Sequence, residues 1–283
     1  MQGAISTSRS WLATLVIGLL LLAVWQALAS SGGGSAPAEL SDYEKLMGKS
    51  PGVSVERSAI PTPVDVFKRA GELFADPFRR NGENDLGIAW HLLDSLRRVF
   101  SGYALAVLVG VPLGFLLGLV PWLGQALNPF IQLLRPVSPM AWMPLALYTL
   151  KDSGASAIFI IFICSIWPIL INTLYSTASV RQDWTNVGRV IGLTPLESAR
   201  KIVFPAAVPM ILTGMRISIG IAWLVIVAAE MVVGQSGIGF FVWNEWNNLQ
   251  ISSIIVAIVM IGVVGLVLDQ LLGALMKQLS FRE

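Results

Sequence analysis

The sequence predicts an all-α, polytopic membrane protein with six transmembrane helices, and two observations carry that prediction. Of 283 residues, 55% are hydrophobic and only 13% are charged, with a mean hydropathy of +0.71. Soluble domains carry about 25% charged residues, so the chain has roughly half the groups needed to coat a water-facing surface. Secondly, several apolar runs reach the roughly 20 residues that a helix needs to cross a bilayer. The single cysteine, Cys164, lies inside one of them, which excludes an intrachain disulfide framework and a cysteine-rich metal site. A net charge of +2 is too small to indicate nucleic acid as a partner.

The first span is Trp11 to Ala29, apolar apart from Thr14 and Gln26. A cleaved signal peptide is the rival reading, because Arg9 precedes the run and Ala27-Leu28-Ala29 resembles a small-residue cleavage site. The run exceeds the usual h-region of about 7 to 15 residues, which favours a retained helix. Ser30-Ser31-Gly32-Gly33-Gly34-Ser35 then forms a flexible linker. From Ser30 to Arg98 there are nine Lys/Arg and ten Asp/Glu, a balance without electrostatic preference for a partner. Within this stretch Ile60-Pro61-Thr62-Pro63 is extended and a short amphipathic helix follows over about Val64 to Phe74. The chain thus divides into residues 1–98, an N-terminal transmembrane helix with an external loop, and residues 99–283, a core of five transmembrane helices with a cytoplasmic loop at about 181–207.

The core spans are expected from Val99 to Val120, Leu127 to Leu150, Ala155 to Tyr175, Pro209 to Val233 and Ser252 to Met276. An even number puts both termini on one side. Arg181, Arg189, Arg200 and Lys201 lie between spans four and five, Lys277 and Arg282 follow span six, and Gly234 to Ile251 has no Lys or Arg. Both termini and the four-to-five loop are therefore cytoplasmic by the positive-inside rule. Arg97 and Arg98, just before span two, run against that assignment; the long external loop largely escapes the rule.

Span two carries Gly102, Ala106, Gly110, Gly114 and Gly118 at successive i+4 positions, a flat stripe on which another helix can lie close. Internal packing is the expected use, with a subunit contact as the alternative. Span three contains Arg135-Pro136-Val137-Ser138-Pro139-Met140-Ala141-Trp142-Met143-Pro144, in which three prolines remove backbone donors. Broken helix at membrane depth is tolerated where protein buries it or where it borders a water-filled cavity. The segment is either pathway lining or a kinked entry. In span five, Arg216, Trp223 and Glu230 are spaced by seven and share a helix face with slow drift. Intramembrane charge usually faces the bundle interior or an aqueous cavity. Glu230 is thus either a pathway or gating residue or the structural partner of a neighbouring helix, and Asp269 in span six is read as interfacial.

The segment from Arg181 to Pro209 reads as two short helices. Asp183 is expected to cap the first, which runs to about Ile191, and Gly192 supplies the left-handed residue that ends it. Thr194 at N-cap, Pro195 at N1 and Glu197 at N3 form a capping box that opens a helix over about Pro195 to Val203. Pro205 and Pro209 are expected to stop it before span five. Such a rigid hairpin suits docking of a cytoplasmic partner, although an ordinary interfacial loop would look alike.

Gly192, nine residues, then Ile202-Val203-Phe204-Pro205 resembles the Gly-x9-Ile-x-Leu-Pro part of the EAA loop of binding-protein-dependent ABC importer permeases. Asn186-Val187-Gly188 stands where that family carries its eponymous triplet, which is not preserved. Ile60-Pro61-Thr62-Pro63, the stretch from His91 to Val99, and Arg135 to Pro144 resemble the nitrate/sulfonate/taurine branch. Asp76-Pro77-Phe78 with Asn81-Gly82 and Asn84-Asp85, Ala157 to Ile163, Ile166 to Thr173 and Gly237 to Trp243 are similar to nitrate and bicarbonate permeases. Thr213 to Ile217 and Ala228 to Met231 fit the same subgroup.

The resemblance implies a type I ABC importer permease fold in the cytoplasmic (inner) membrane. It implies two permease copies forming a pathway, two cytoplasmic ATP-binding subunits on coupling helices, and an external solute-binding protein. The cargo would be a small inorganic anion, nitrate or nitrite first, with bicarbonate or sulfonate/taurine as alternatives. ATP and Mg would sit in the ATPase subunits, leaving no cofactor or metal in this chain. Coupling then falls on Gly192, Thr194, Pro195, Glu197, Ser198, Ala199 and Arg200. Pathway candidates are Ser138, Trp142, Asn172, Arg216 and Glu230, polar or aromatic groups in apolar spans, with Arg216 expected to attract the anion. Gly48-Lys49-Ser50 copies the end of a P-loop, but Tyr43 holds the first glycine position, so the chain is not expected to hydrolyse ATP. Two other classes were weighed. An intramembrane enzyme lacks motif support, with His91 the only histidine and no complete Gly-x-Ser-x-Gly, and a passive channel needs no energy-coupling hairpin.

Overall fold

The computed structural model describes residues 2–31, 61–80, 82 and 86–279. The linker glycines, Tyr43, Gly48-Lys49-Ser50, Ile60, Asn81 and Asn84-Asp85 lie outside them. In chain order the helices are α1 (Gln2–Ser31), α2 (Pro63–Ala75), α3 (Ile88–Leu119), α4 (Pro121–Leu134), α5 (Pro139–Leu150) and α6 (Ser153–Ala178). They continue with α7 (Gln182–Val190), α8 (Pro195–Ser198) and its π turn Ala199–Val203, α9 (Phe204–Val233), α10 (Ile238–Asn247) and α11 (Ile251–Leu279). Among the described residues the only strand-like pairing is one isolated bridge between Arg80 and Leu86.

Five helices are long and apolar enough to cross a membrane: α1, α3, α6, α9 and α11. The sixth expected span, Leu127 to Leu150, is instead two helices of 14 and 12 residues, α4 and α5. The cause is local. Pro136 and Pro139 lack the donors a continuous helix needs at this point, and the chain leaves helical geometry between Leu134 and Pro139. Span two also starts earlier than its apolar run, since α3 begins at Ile88 and carries its polar first turns as helix.

At the centre, α6 is packed between α3 and α9. Its Ile160, Ile161 and Ile169 are fully buried. The glycine stripe of α3 makes the approach: a Cβ on Gly114 would crowd the Leu170 carbonyl and Thr173, and one on Gly118 would crowd Thr177 and the Leu174 carbonyl. The stripe therefore serves internal packing. On the opposite side, Gly214 of α9 crosses α6 where a Cβ would meet Asn172 Cβ at 2.7 Å and the Pro168 carbonyl oxygen at 2.8 Å. Trp223 Nε1 donates to the Ile261 carbonyl at 2.9 Å and so fastens α9 to α11.

Outside the core, α2 has the expected extended entry and a complete capping box. The Asp65 N–H donates to Thr62 Oγ1 at 3.3 Å, and the Thr62 N–H donates to Asp65 Oδ2 at 3.2 Å. The bonds from Thr62 hold the Asp65 carboxyl below its ordinary value. Arg69 Nε reaches Ser253 Oγ at 2.8 Å, tying α2 to the start of α11.

Candidate functional site

Three groups of residues carry chemistry, and the hairpin between α6 and α9 is the first. Arg181, not Asp183, occupies the N-cap of α7. Asp183 lies inside the first turn, where its carboxylate suits the helix N-terminus and pairs with Arg181 at 2.9 Å. Gly192 has φ of 77°, the left-handed conformation that glycine adopts without a Cβ penalty, and the Leu193 N–H returns to the Gly188 carbonyl at 2.9 Å. The Thr194–Glu197 box is complete: the Glu197 N–H donates to Thr194 Oγ1 at 3.3 Å and the Thr194 N–H donates to Glu197 Oε2 at 3.0 Å. Those bonds from Thr194, with Lys201 at 3.2 Å, hold the Glu197 carboxyl down at about 2.

Beyond Ser198 the hairpin helix departs from expectation. Pro205 and Pro209 do not stop it. A π turn over Ala199–Val203, closed by the Phe204 N–H to the Ala199 carbonyl, widens the backbone ahead of Pro205 and joins α8 to α9 in one helical run. Ala199 faces inward, and Ser198 and Glu197 are half-buried; Thr194, Pro195 and Arg200 are exposed. Gly188 is buried against Ile202, so α7 leans on the π turn. Val190 is 87% exposed and Leu196 80%, an apolar tip on the hairpin.

The second group sits at the other end of α9. Glu230, 2% exposed, accepts from Arg98 Nη1 at 2.7 Å, from Ser95 Oγ at 2.7 Å and from the Gly239 N–H at 3.1 Å. Arg98 also donates to the Ser236 carbonyl at 2.8 Å and to Ser236 Oγ at 2.6 Å. The Ile238 N–H donates to Ser95 Oγ at 2.8 Å, and the Gly237 N–H to His91 Nδ1 at 3.2 Å. The first donors of α10 are thus satisfied by side chains of α3 and α9. Space beside Glu230 amounts to about 10 Å³, at the lower limit of what one water requires. Gly237 and Gly239 are required here, because a Cβ on either would overlap Glu230 or the Val227 carbonyl.

The third group lines two cavities at the α4–α5 break. The smaller, about 400 Å³, is bordered by Ser138, Trp142 and Asn172 together with Arg135 and Cys164. The larger, about 760 Å³, runs between α4 and the ends of α3 and α6. Three of the five expected pathway residues therefore meet, and two do not. Arg216 is bound through Nε and Nη2 to both Asp269 oxygens, at 2.6 and 2.5 Å, on the α9–α11 face. Glu230 belongs to the clasp with Arg98. Sequence reading placed Arg135 only within a segment read as pathway lining or kinked entry, not as a candidate of its own, and missed α10 as a helix.

Comparison with known proteins follows the same lines. The family model for "Binding-protein-dependent transport system inner membrane component" matches residues 110–281. The nitrate import permease protein NrtB of Synechocystis sp. is 46% identical over 222 residues, 78% of this chain and 81% of that protein. The Leptolyngbya laminosa NrtB is 40% identical over 267 residues, covering 94% and 87%. The bicarbonate transport system permease protein CmpB of Synechocystis sp. is 46% identical over 224 residues, covering 78% and 80%. Among solved structures, a chain of the inward-facing MetNI methionine ABC transporter superposes with a TM-score of 0.60 at 14% identity, covering 69% of this chain and 96% of that one. The fold is shared.

Proposed function

We propose, for a chain that belongs to the binding-protein-dependent transport system inner membrane components, that it is the permease subunit of an ATP-driven importer of nitrate or nitrite. What supports the anion class is the likeness to nitrate and bicarbonate permeases along most of the chain. Bicarbonate is the second reading, favoured by an identity of the same size. Sulfonate or taurine has no comparable support among these relatives.

Two copies would enclose the pathway, an external solute-binding protein would deliver the anion, and two ATPase subunits would dock on the hairpins. Both termini and the hairpin are assigned to the cytoplasm. ATP and Mg belong to the partner subunits, and this chain supplies coupling rather than hydrolysis. The coupling surface comprises Gly192, Thr194, Pro195, Glu197, Ser198 and Arg200, with Leu196 and Val190 as its apolar tip and Ala199 as the inward-facing anchor. Closure of the ATPase dimer would move this surface and turn the cavity outward; hydrolysis would return it. Ser138, Trp142 and Asn172 belong to the pathway. Glu230 is assigned to the outer clasp and Arg216 to the α9–α11 contact.

The test is ATP-dependent uptake by the assembled complex in proteoliposomes, with labelled nitrate, nitrite and bicarbonate compared. Nitrate or nitrite uptake that requires ATP and the binding protein supports the reading. Uptake of bicarbonate alone replaces it with the second one.

A further inference from the structure

Three arginines of the membrane domain, Arg98, Arg135 and Arg216, differ in their surroundings. Arg98 is paired with Glu230 and Arg216 with Asp269. Arg135 has no carboxylate partner among the described residues. It lies where the two cavities meet, since Arg135, Pro136 and Ile171 line both. On α4, Gln125, Asn128, Gln132 and Arg135 follow at spacings of three, four and three, which sets them on one helical face. All four line the larger cavity, and neither cavity is lined by Asp or Glu.

Position gives this arrangement its meaning. Arg135 is exposed, directly follows the last turn of α4, and lies beside Ile171 of α6. A guanidinium bordering apolar helices requires water or a counter-charge. The helix break at residues 135–138 provides a recess open to both cavities, and no acid in it competes for the charge. Arg216, by contrast, would have to release Asp269 before binding an anion.

The geometry points to Arg135 as the cation of an anion-binding site at the junction of the two cavities, with the amides of Gln132 and Asn128 along the approach from α4. The ligand class is a small oxyanion, because the planar guanidinium fork can donate to two oxygens of one ligand at once. This inference rests on the reading of the chain as an anion permease and identifies which residue meets the cargo.

Cys164, the chain's one cysteine, lines the smaller cavity with Arg135 and reports the local charge. In the assembled complex, its labelling rate is measured with a negatively and a positively charged methanethiosulfonate reagent, and nitrate uptake is measured in parallel. Arg135→Gln should lower the anionic-to-cationic rate ratio at Cys164 at least about fivefold and raise the apparent KM for nitrate about tenfold. Arg135→Lys should keep most of the rate ratio yet recover only part of the affinity, since it lacks the fork. Arg216→Gln should leave both within about twofold. An unchanged ratio or an unchanged KM in Arg135→Gln overturns the proposal, as does a wild-type Cys164 that reacts with neither reagent. Should the wild type carry bicarbonate and not nitrate, the nitrate reading fails, while the labelling ratio and the bicarbonate KM still decide the role of Arg135. If Arg135→Gln does not assemble, Arg135→Lys decides: wild-type KM there overturns the guanidinium's role.

Discussion

The two ends of α9 use polar groups in opposite ways. At the Glu230 end, Glu230 of α9, the α3 residues His91, Ser95 and Arg98, and Ser236 of the following turn join separate elements through hydrogen bonds in a site with about 10 Å³ of free space. At the hairpin end, where α8 leads into α9, Thr194 and Glu197 satisfy their own helix start and leave apolar Leu196 and Val190 exposed. A clasp made between helices fixes tertiary structure, whereas a clasp made within three residues stiffens a surface and frees it to receive a partner.

Removing one member of the outer clasp should break this contrast most sharply. Glu230→Ala leaves Arg98 without its counter-charge in a largely buried site, and a loss of about 3–5 kcal/mol is expected in detergent unfolding of the complex. Glu230→Gln, which keeps hydrogen bonds, should lose less; equal losses would assign the effect to packing alone. Next in size comes Gly118→Leu, which forces α3 away from Thr177 of α6 and should cost about 1–3 kcal/mol by overpacking.

Smaller again are changes in the hairpin. Gly192→Val imposes a left-handed strain of about 1–2 kcal/mol on the turn, and Glu197→Lys removes the N3 half of the capping box. Both should reduce ATPase pull-down and uptake while the membrane domain stays folded. Intact pull-down and wild-type uptake in both variants would separate the hairpin from coupling. The Glu197 carboxylate, lowered to about 2, contributes fully above its ordinary 4.5 and loses that contribution as pH falls toward 2. ATPase association should therefore be insensitive to Glu197 titration between pH 6 and 8, as binding measurements across about that range can check. Smallest is the exposed pair: Arg216→Gln with Asp269→Asn should leave the unfolding midpoint close to wild type, because water screens an exposed ion pair.

What the sequence makes legible follows from how local each interaction is. The Thr194–Glu197 capping box, the left-handed Gly192 and the glycine stripe can be read because their signals recur within three or four positions. Arg98 and Glu230 are 132 positions apart, so neither residue discloses the other. Helix α10 is hidden for the same reason: its first donors are completed by His91, Ser95 and Glu230, which no local pattern joins to it. Pro205 and Pro209 look like stops because a strict α-helix is assumed, and the π turn removes that assumption. Of the expected pathway residues, Ser138, Trp142 and Asn172 meet at the break that the prolines announce, while Arg216 is diverted by Asp269 across the bundle.

From Pro195 to Val233 the chain is one helical run of 39 residues, about 58 Å long. Gly214 stands at its midpoint, pressed against Pro168 and Asn172 of α6. That contact makes a fulcrum. A partner pushing the hairpin tip of such a lever would swing the Glu230 end the opposite way, with the cavity wall at Asn172 at the pivot, where displacement is least. Opening at one end and closing at the other would then need no relay of side chains between them.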